Sequence, residues 1–269
     1  MLADAARSIM GETADVIALM GPGVDPHMYK ATEGDLQKLT SADVIIYNGL
    51  HLEGKMSEVL HALEKKNPSV YAFTNGIPST KWRVLDATAQ IYDPHVWFDV
   101  ALWNEGVKAL TVFLITKFPS DSVAIQRRSL DYQNQLDQLH VRILRQLDSI
   151  PVAQRVLITA HDAFGYFGQA YHIEVRGLQG ISTVADFGLN DVSQLVQYIT
   201  SRKIKAVFIE SSISEQSIRA VVEGCTAKGH PITIGGTLYS DAMGSAGTPA
   251  GTYIGMVEHN VHTICQALR

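Results

Sequence analysis

The chain has 269 residues, 46% of them hydrophobic and 18% charged, with a formal net charge of −5. This is the composition of a packed globular chain and not of a disordered one, and the length allows two domains of ordinary size or one large α/β domain. The acidic balance excludes a nucleic-acid footprint, and no apolar run approaches the roughly 20 residues of a membrane-spanning helix.

In chain order, the residues Leu2–Met10 read as a helix. With no leader ahead of them, the chain is either cytoplasmic as it stands or has an export signal outside this sequence. A strand is expected at Ala14–Met20, ending at Gly21-Pro22-Gly23, then a short helix at Gly34–Leu39. Asp43–Tyr47 is a β-branched run closed by Asn48-Gly49, a strong turn signal. Lys55–Lys66 places Met56, Val59, Leu60 and Leu63 on one helical stripe, Val70–Phe73 is a strand, and Asp99–Phe118 is a long helix stopped by Pro119. Strands separated by helices of this length imply crossover units and a mainly parallel sheet.

The longest helical signal follows Pro119-Ser120-Asp121 and carries Leu136, Leu139, Ile143, Leu147 and Ile150 at three- and four-residue steps. About 30 residues at about 1.5 Å each would span roughly 45 Å, more than one lobe needs, so this helix is expected to join two lobes. Alternation then resumes. Arg155–Thr159 is a strand, Phe164–Tyr171 a helix, Ile173–Leu178 a strand and Asp191–Arg202 a helix with an Asn/Asp start. Ala206–Ile209 is a strand, Glu215–Ala227 a helix, Pro231–Ile234 a strand and Tyr253–Leu268 a final helix. The expected organisation is an N-terminal α/β lobe over 1–118, a connecting helix over 119–150 and a C-terminal α/β lobe over 151–269.

One short pattern occurs twice, as Asp25-Pro26-His27-Met28-Tyr29 and Asp93-Pro94-His95-Val96-Trp97. Proline fixes its own φ and biases the preceding residue toward extended backbone, so each histidine leaves a rigid corner. His27 follows a strand signal, His95 sits before a helix start, His161 ends a strand and Asp241 follows one. Ligand groups in open α/β sheets gather at the carboxyl ends of strands, which permits these four to meet. Three imidazoles and a carboxylate suit a borderline divalent ion, and four protein ligands nearly close the shell, which favours holding a metal over catalysis. Glu210, at a strand end, and Asp99, four residues after His95, are candidates to accept the second ring proton of a ligand histidine. His61, His140, His172, His230, His259 and His262 read as surface or structural residues, and His51 as surface or crevice edge. Cys225 and Cys265 read as two buried thiols or one disulfide. Gly21-Pro22-Gly23 lacks a phosphate-loop lysine, Gly235-Gly236-Thr237 reads as a strand-end turn, and there is no serine elbow or two-histidine zinc-protease helix.

These motifs, together with the stretch from Ala42 to Glu53 (Ala-Asp-Val-Ile-Ile-Tyr-Asn-Gly-Leu-His-Leu-Glu), Thr159–Phe167 and Leu238–Gly244, resemble the metal-binding solute receptors of ABC transporters, the TroA-like and ZnuA-like proteins. The resemblance covers nearly the whole chain. It implies two α/β lobes bridged by one long helix, with His27 and His95 supplied by the first lobe and His161 and Asp241 by the second. It further implies one Zn²⁺ or Mn²⁺ per chain as transported ligand and a membrane permease as partner; the donor set by itself also admits Fe²⁺. The protein would then be a monomer in the periplasm or held at the outer face of a membrane. Manganese-selective members typically carry glutamate where this chain has His161, which leans toward zinc or toward members that take either ion. Residues 74–93 contain no histidine, so the histidine-rich loop of many zinc-specific members is absent. Members usually begin with an exported leader and a strand ahead of the first helix, so the chain is expected to be shortened at its start. The alternatives from other classes are a mononuclear metal hydrolase with Glu210 as base and a metal-stabilised surface adhesin.

Overall fold

The computed structural model describes residues 1–184 and 188–269. The chain forms two compact units, Met1–His140 and Val141–Arg269. In the first unit the elements are α1 (Leu2–Met10), α2 (Glu33–Ser41), β1 (Ile45–Tyr47), α3 (Ser57–Glu64), β2 (Val70–Ala72), β3 (Val84–Asp86), β4 (Ile91–Tyr92) and α4 (Val100–Lys117). Helix α5 (Ser122–Leu147) lies across the division, its residues up to His140 grouping with the first unit and the rest with the second. The second unit continues with β5 (Val156–His161), α6 (Gly165–Tyr171), β6 (Glu174–Gln179), α7 (Leu189–Arg202), β7 (Ala206–Glu210), α8 (Gln216–Ala227), β8 (Thr233–Leu238) and α9 (Tyr253–Leu268).

Three strand pairs are parallel: β1 with β2, β5 with β6 and β7 with β8, in registers Ile45↔Val70, Val156↔Glu174 and Ala206↔Thr233. All six residues of β5 are buried, as expected for a parallel strand covered on both faces. The mixed α/β class and the parallel pairing are those the sequence implies. An unforeseen antiparallel pair, β3 with β4, joins Val84 to Tyr92. Its three- and two-residue strands are too short for a periodic signal.

Four other expectations need correction. Ala14–Met20 is not a strand, and two of its carbonyls accept from side chains: Arg7 Nη2 donates to Val16 O at 2.7 Å and the Tyr29 hydroxyl to Leu19 O at 3.5 Å. On α3 only Met56 and Leu60 of the expected stripe are buried, with Val59 and Leu63 exposed, since the helix is short and enters through a 3₁₀ turn at Gly54–Met56. Asp191 is not the cap of α7 but its third residue, accepting the backbone N–H of Gly188 at 2.8 Å. Gly235-Gly236 lie inside β8, where pairing steps from Val207↔Ile234 to Ile209↔Thr237. Phe208 on β7 therefore stands opposite both Gly235 and Gly236 on β8, a bulge that Gly236 accommodates at φ 139°.

The first unit's core is built on α4. Phe73 packs on Trp103 with ring centroids 4.3 Å apart, directly over Gly106. Polar contacts lock α4 to α5: Thr111 Oγ1 lies 2.5 Å from Ser129 Oγ, both buried, and the buried Asn104 Nδ2 donates to Oδ1 of the exposed Asp137 at 2.7 Å. Arg128 Nε donates to Ile9 O at 2.8 Å, satisfying a carbonyl in the last turn of α1. In the second unit α7 and α8 cover β5 and β7 through Leu195, Val196, Ile199, Ile218, Val221 and Cys225. Cys225 and Cys265 are both buried free thiols, which decides between the two options left by the sequence.

Gly106 tests this packing. A Cβ there would overlap the edge of the Phe73 ring, which also packs on Trp103. Overpacking costs about 1–3 kcal/mol, while a helical alanine in place of glycine returns up to about 1 kcal/mol. Gly106→Ala should therefore lower the urea midpoint by a net loss of about 1–2 kcal/mol at unchanged slope.

Candidate metal centre

In the first unit the two Asp-Pro-His corners share one local device. The carboxylate of Asp25 accepts the backbone N–H of His27 at 2.8 Å, and that of Asp93 accepts the N–H of His95 at 2.9 Å. Each aspartate bonds the backbone two residues on, an Asx turn that the intervening proline stiffens. Both histidines are buried, their Nε2 atoms lie 3.4 Å apart, and their ring centroids are separated by 5.4 Å.

His95 is held further. Asp93 Oδ1 also accepts from His95 Nδ1 at 2.7 Å, and Asp93 Oδ2 pairs with Arg83 at the entrance to the β3–β4 hairpin. One buried carboxylate thus fixes both backbone and ring, and the committed Nδ1 makes Nε2 the nitrogen that can give a lone pair to an ion. Asp99 does not have the outer role expected of it. It caps α4, accepting the N–H groups of Ala101 and Leu102 at 3.0 and 3.1 Å. Position before a helix start was the stronger constraint, and the signal that identifies Asp93 is its place two residues ahead of the histidine.

In the second unit His161 is the last residue of β5 and Asp241 lies three residues beyond β8. The Nε2 of His161 stands 3.3 Å from Asp241 Oδ2, and both side chains are fully buried. Glu210, the last residue of β7, reaches under His161 and repeats what Asp93 does. Its Oε1 accepts the backbone N–H of His161 at 2.9 Å and its Oε2 lies 2.6 Å from Nδ1. Gly177 on β6 allows this strand end, since a Cβ there would overlap the His161–Asp162 backbone. The loop that carries Asp241 is pinned by Asn260 of α9, whose amide receives Tyr239 N–H at 2.9 Å and donates to Tyr239 O at 2.7 Å. Asn260 gave no sequence signal, because an asparagine within a helix usually faces solvent.

Burial opposes the charged form of His161, but the carboxylates of Glu210 and Asp241 outweigh it and raise its pKa well above the ordinary imidazole value. The two carboxylates thus favour the protonated ring, with Nε2 facing Asp241. A divalent cation can replace the Nε2 proton between the same two atoms. Two of the remaining histidines bond backbone carbonyls: His230 Nε2 bonds Ile204 O at 2.8 Å and His259 Nε2 bonds Thr237 O at 3.0 Å.

Residues 1–267 match the family described as zinc-uptake complex component A, periplasmic (ZnuA). The chain belongs to this family. It is 49% identical over 268 residues to the manganese-binding lipoprotein MntA of Bacillus subtilis, covering 100% of this chain and 87% of that one. It is 47% identical to the zinc-binding protein TroA of Treponema pallidum, covering 100% of this chain and 86% of TroA. The solved structure of periplasmic TroA superimposes with a TM-score of 0.95 over 100% of this chain and 96% of that one. The chain is thus a metal-binding solute receptor of an ABC uptake system, it acts outside the cytoplasm, and it is not an enzyme. Among the described residues no helix is long and apolar enough to cross a membrane.

Removing the charge behind either ring while keeping its shape should weaken metal binding without unfolding the chain. Glu210→Gln and Asp93→Asn are each expected to cost about 10–100-fold in affinity, the usual effect of losing an outer-shell carboxylate. Competition against a chromogenic chelator measures this, and circular dichroism checks the fold.

Proposed function

We propose that His27 and His95, with His161 and Asp241, bind one divalent transition-metal ion per chain as cargo, and that the ion is Zn²⁺, with Mn²⁺ as the second choice. The observation that carries this is that two of the imidazoles, one in each unit, each have a buried carboxylate on both backbone N and Nδ1, which leaves Nε2 to face an ion. Surface histidines have no use for such buried carboxylates, whereas ligand histidines need a fixed tautomer. Three nitrogens and one oxygen favour zinc over manganese by intrinsic affinity, and a bidentate Asp241 would extend the shell toward manganese. Relatives named for each ion stand at nearly equal identity, 49% and 47%, which fits a site that accepts both.

Splitting the ligands between the units lets capture be undone. Helix α5 is read as a stiff link, so small shifts would part the pairs when a membrane permease receives the ion. The receptor is expected to work as a monomer in the periplasm or anchored at the outer face of a membrane. Titration calorimetry of the metal-stripped protein should give a stoichiometry near one, lost in His161→Ala and in Asp241→Ala. Unchanged binding in both variants would remove the site, and elemental analysis of protein prepared with controlled metals would name the ion.

The proton on His161 sets the pH dependence. Its folded pKa lies above its unfolded value, so its ion pairs stabilise the metal-free protein fully below about 6.5 and lose this as pH rises through the folded value. Metal affinity runs the opposite way, because the cation must displace that proton. The gain in melting temperature on adding Zn²⁺ should therefore grow as pH rises from about 5.5 to 8. A gain independent of pH would show that no ligand proton is displaced.

A further inference from the structure

The loop between β1 and α3 is the most strained backbone in the first unit. Gly49, Leu50, His51 and Gly54 all have positive φ, at 88°, 51°, 62° and 45°. Non-glycine residues seldom adopt this region, and a β-branched or bulky residue pays for it. Two such residues in succession, Leu50 and His51, mean that the surroundings hold the loop against its own preference.

The holding groups are buried. Glu53 accepts the backbone N–H of Asn48 through Oε1 at 2.5 Å and that of Gly49 through Oε2 at 3.3 Å, so one carboxylate closes the loop on itself. The Asn48 carbonyl in turn receives the Thr74 backbone N–H at 3.0 Å and its hydroxyl at 2.8 Å. Burial pushes the Glu53 carboxyl up to about 7 against the pull of these N–H donors, so the acid is kept inside at a real cost.

The closed loop touches both first-unit histidine corners. Asn48 Nδ2 donates to the carbonyl of Pro94 at 3.0 Å, the residue directly before His95. At the other end of the loop, Gly54 lies against the backbone of His27, and a Cβ there would overlap the His27 carbonyl. Asn48, Glu53 and Gly54 are themselves not donors to an ion, since the side-chain groups of the first two are turned onto backbone.

We infer that this Asn48–Gly54 loop is a positioning device that holds the His27 and His95 backbones at the separation a metal requires, Asn48 acting on His95 and Gly54 on His27. This rests on the reading of those histidines as ligands. A preset pair loses less freedom when the ion arrives, so the loop contributes to affinity without touching the metal.

Two double-mutant cycles test it, with Zn²⁺ affinity read by chelator competition, the Co²⁺ visible spectrum as a report on geometry, and thermal melting of the metal-free protein as a separate readout of stability. Gly54→Ala in the otherwise native chain should weaken Zn²⁺ binding about tenfold and alter the Co²⁺ bands. In the His27→Ala background the same change should cost less than about twofold in affinity while lowering the melting temperature by the same amount. If Gly54→Ala does not fold, Asn48→Ala serves in its place, paired with His95→Ala, with the same pattern expected. Equal affinity losses in both backgrounds, or none in the native chain, would overturn the positioning role and leave the ligands standing. If His27→Ala and His95→Ala bind Zn²⁺ as tightly as the native chain, the ligand reading fails and the positioning role falls with it.

Discussion

An imidazole can serve a metal with one nitrogen only if the other is settled, and much of this structure answers to that requirement. His95 and His161 come from different units and different local structures, a proline corner and a strand end. Yet each has a buried carboxylate that takes its backbone N–H and its Nδ1 together. Isolated carboxylates are expensive to bury, so their presence implies that the groups they hold matter more than the apolar packing they displace. Arg83 offsets part of that cost for Asp93, and the charged form of His161 does so for Glu210.

The scaffolds behind these carboxylates are built differently in the two units. In the second, parallel strands bring His161 and Glu210 to adjacent carboxyl ends, and α9 pins the loop after β8 through Asn260. Regular structure does most of the positioning there. In the first unit both histidines sit in loops, and their order depends on Asx turns, prolines and a neighbouring loop with an unusual run of positive φ. Strain of that kind persists only where surroundings determine it, which is why Glu53 and Thr74 converge on Asn48.

Receptor function asks for affinity that is high and yet reversible. The two candidate pairs, His27 with His95 and His161 with Asp241, are each ordered inside their own unit by hydrogen bonds among protein groups.

Much of the chain was legible from its residues alone. Helix periodicity located α4, α5 and α9 to within a few residues, the β-branched runs located β1, β5 and β7, and the histidine corners announced themselves because proline and aspartate act locally. Glu210 stood out because a strand end points its last side chain toward a known place. What the sequence could not show was which of several possible partners each polar group takes in the folded chain. Ala14–Met20 has the residues of a strand but two of its carbonyls accept from Arg7 and Tyr29. Asp99 and Asp93 are chemically identical candidates for His95, and only the turn geometry assigns one to the ring and the other to a helix cap. Asn48 reads only as a turn residue and Asn260 as an ordinary polar one until tertiary structure places a backbone carbonyl opposite each amide. Identity and short-range spacing therefore determined which groups could bind a metal, while long-range backbone pairing decided which of them are held in place to do so.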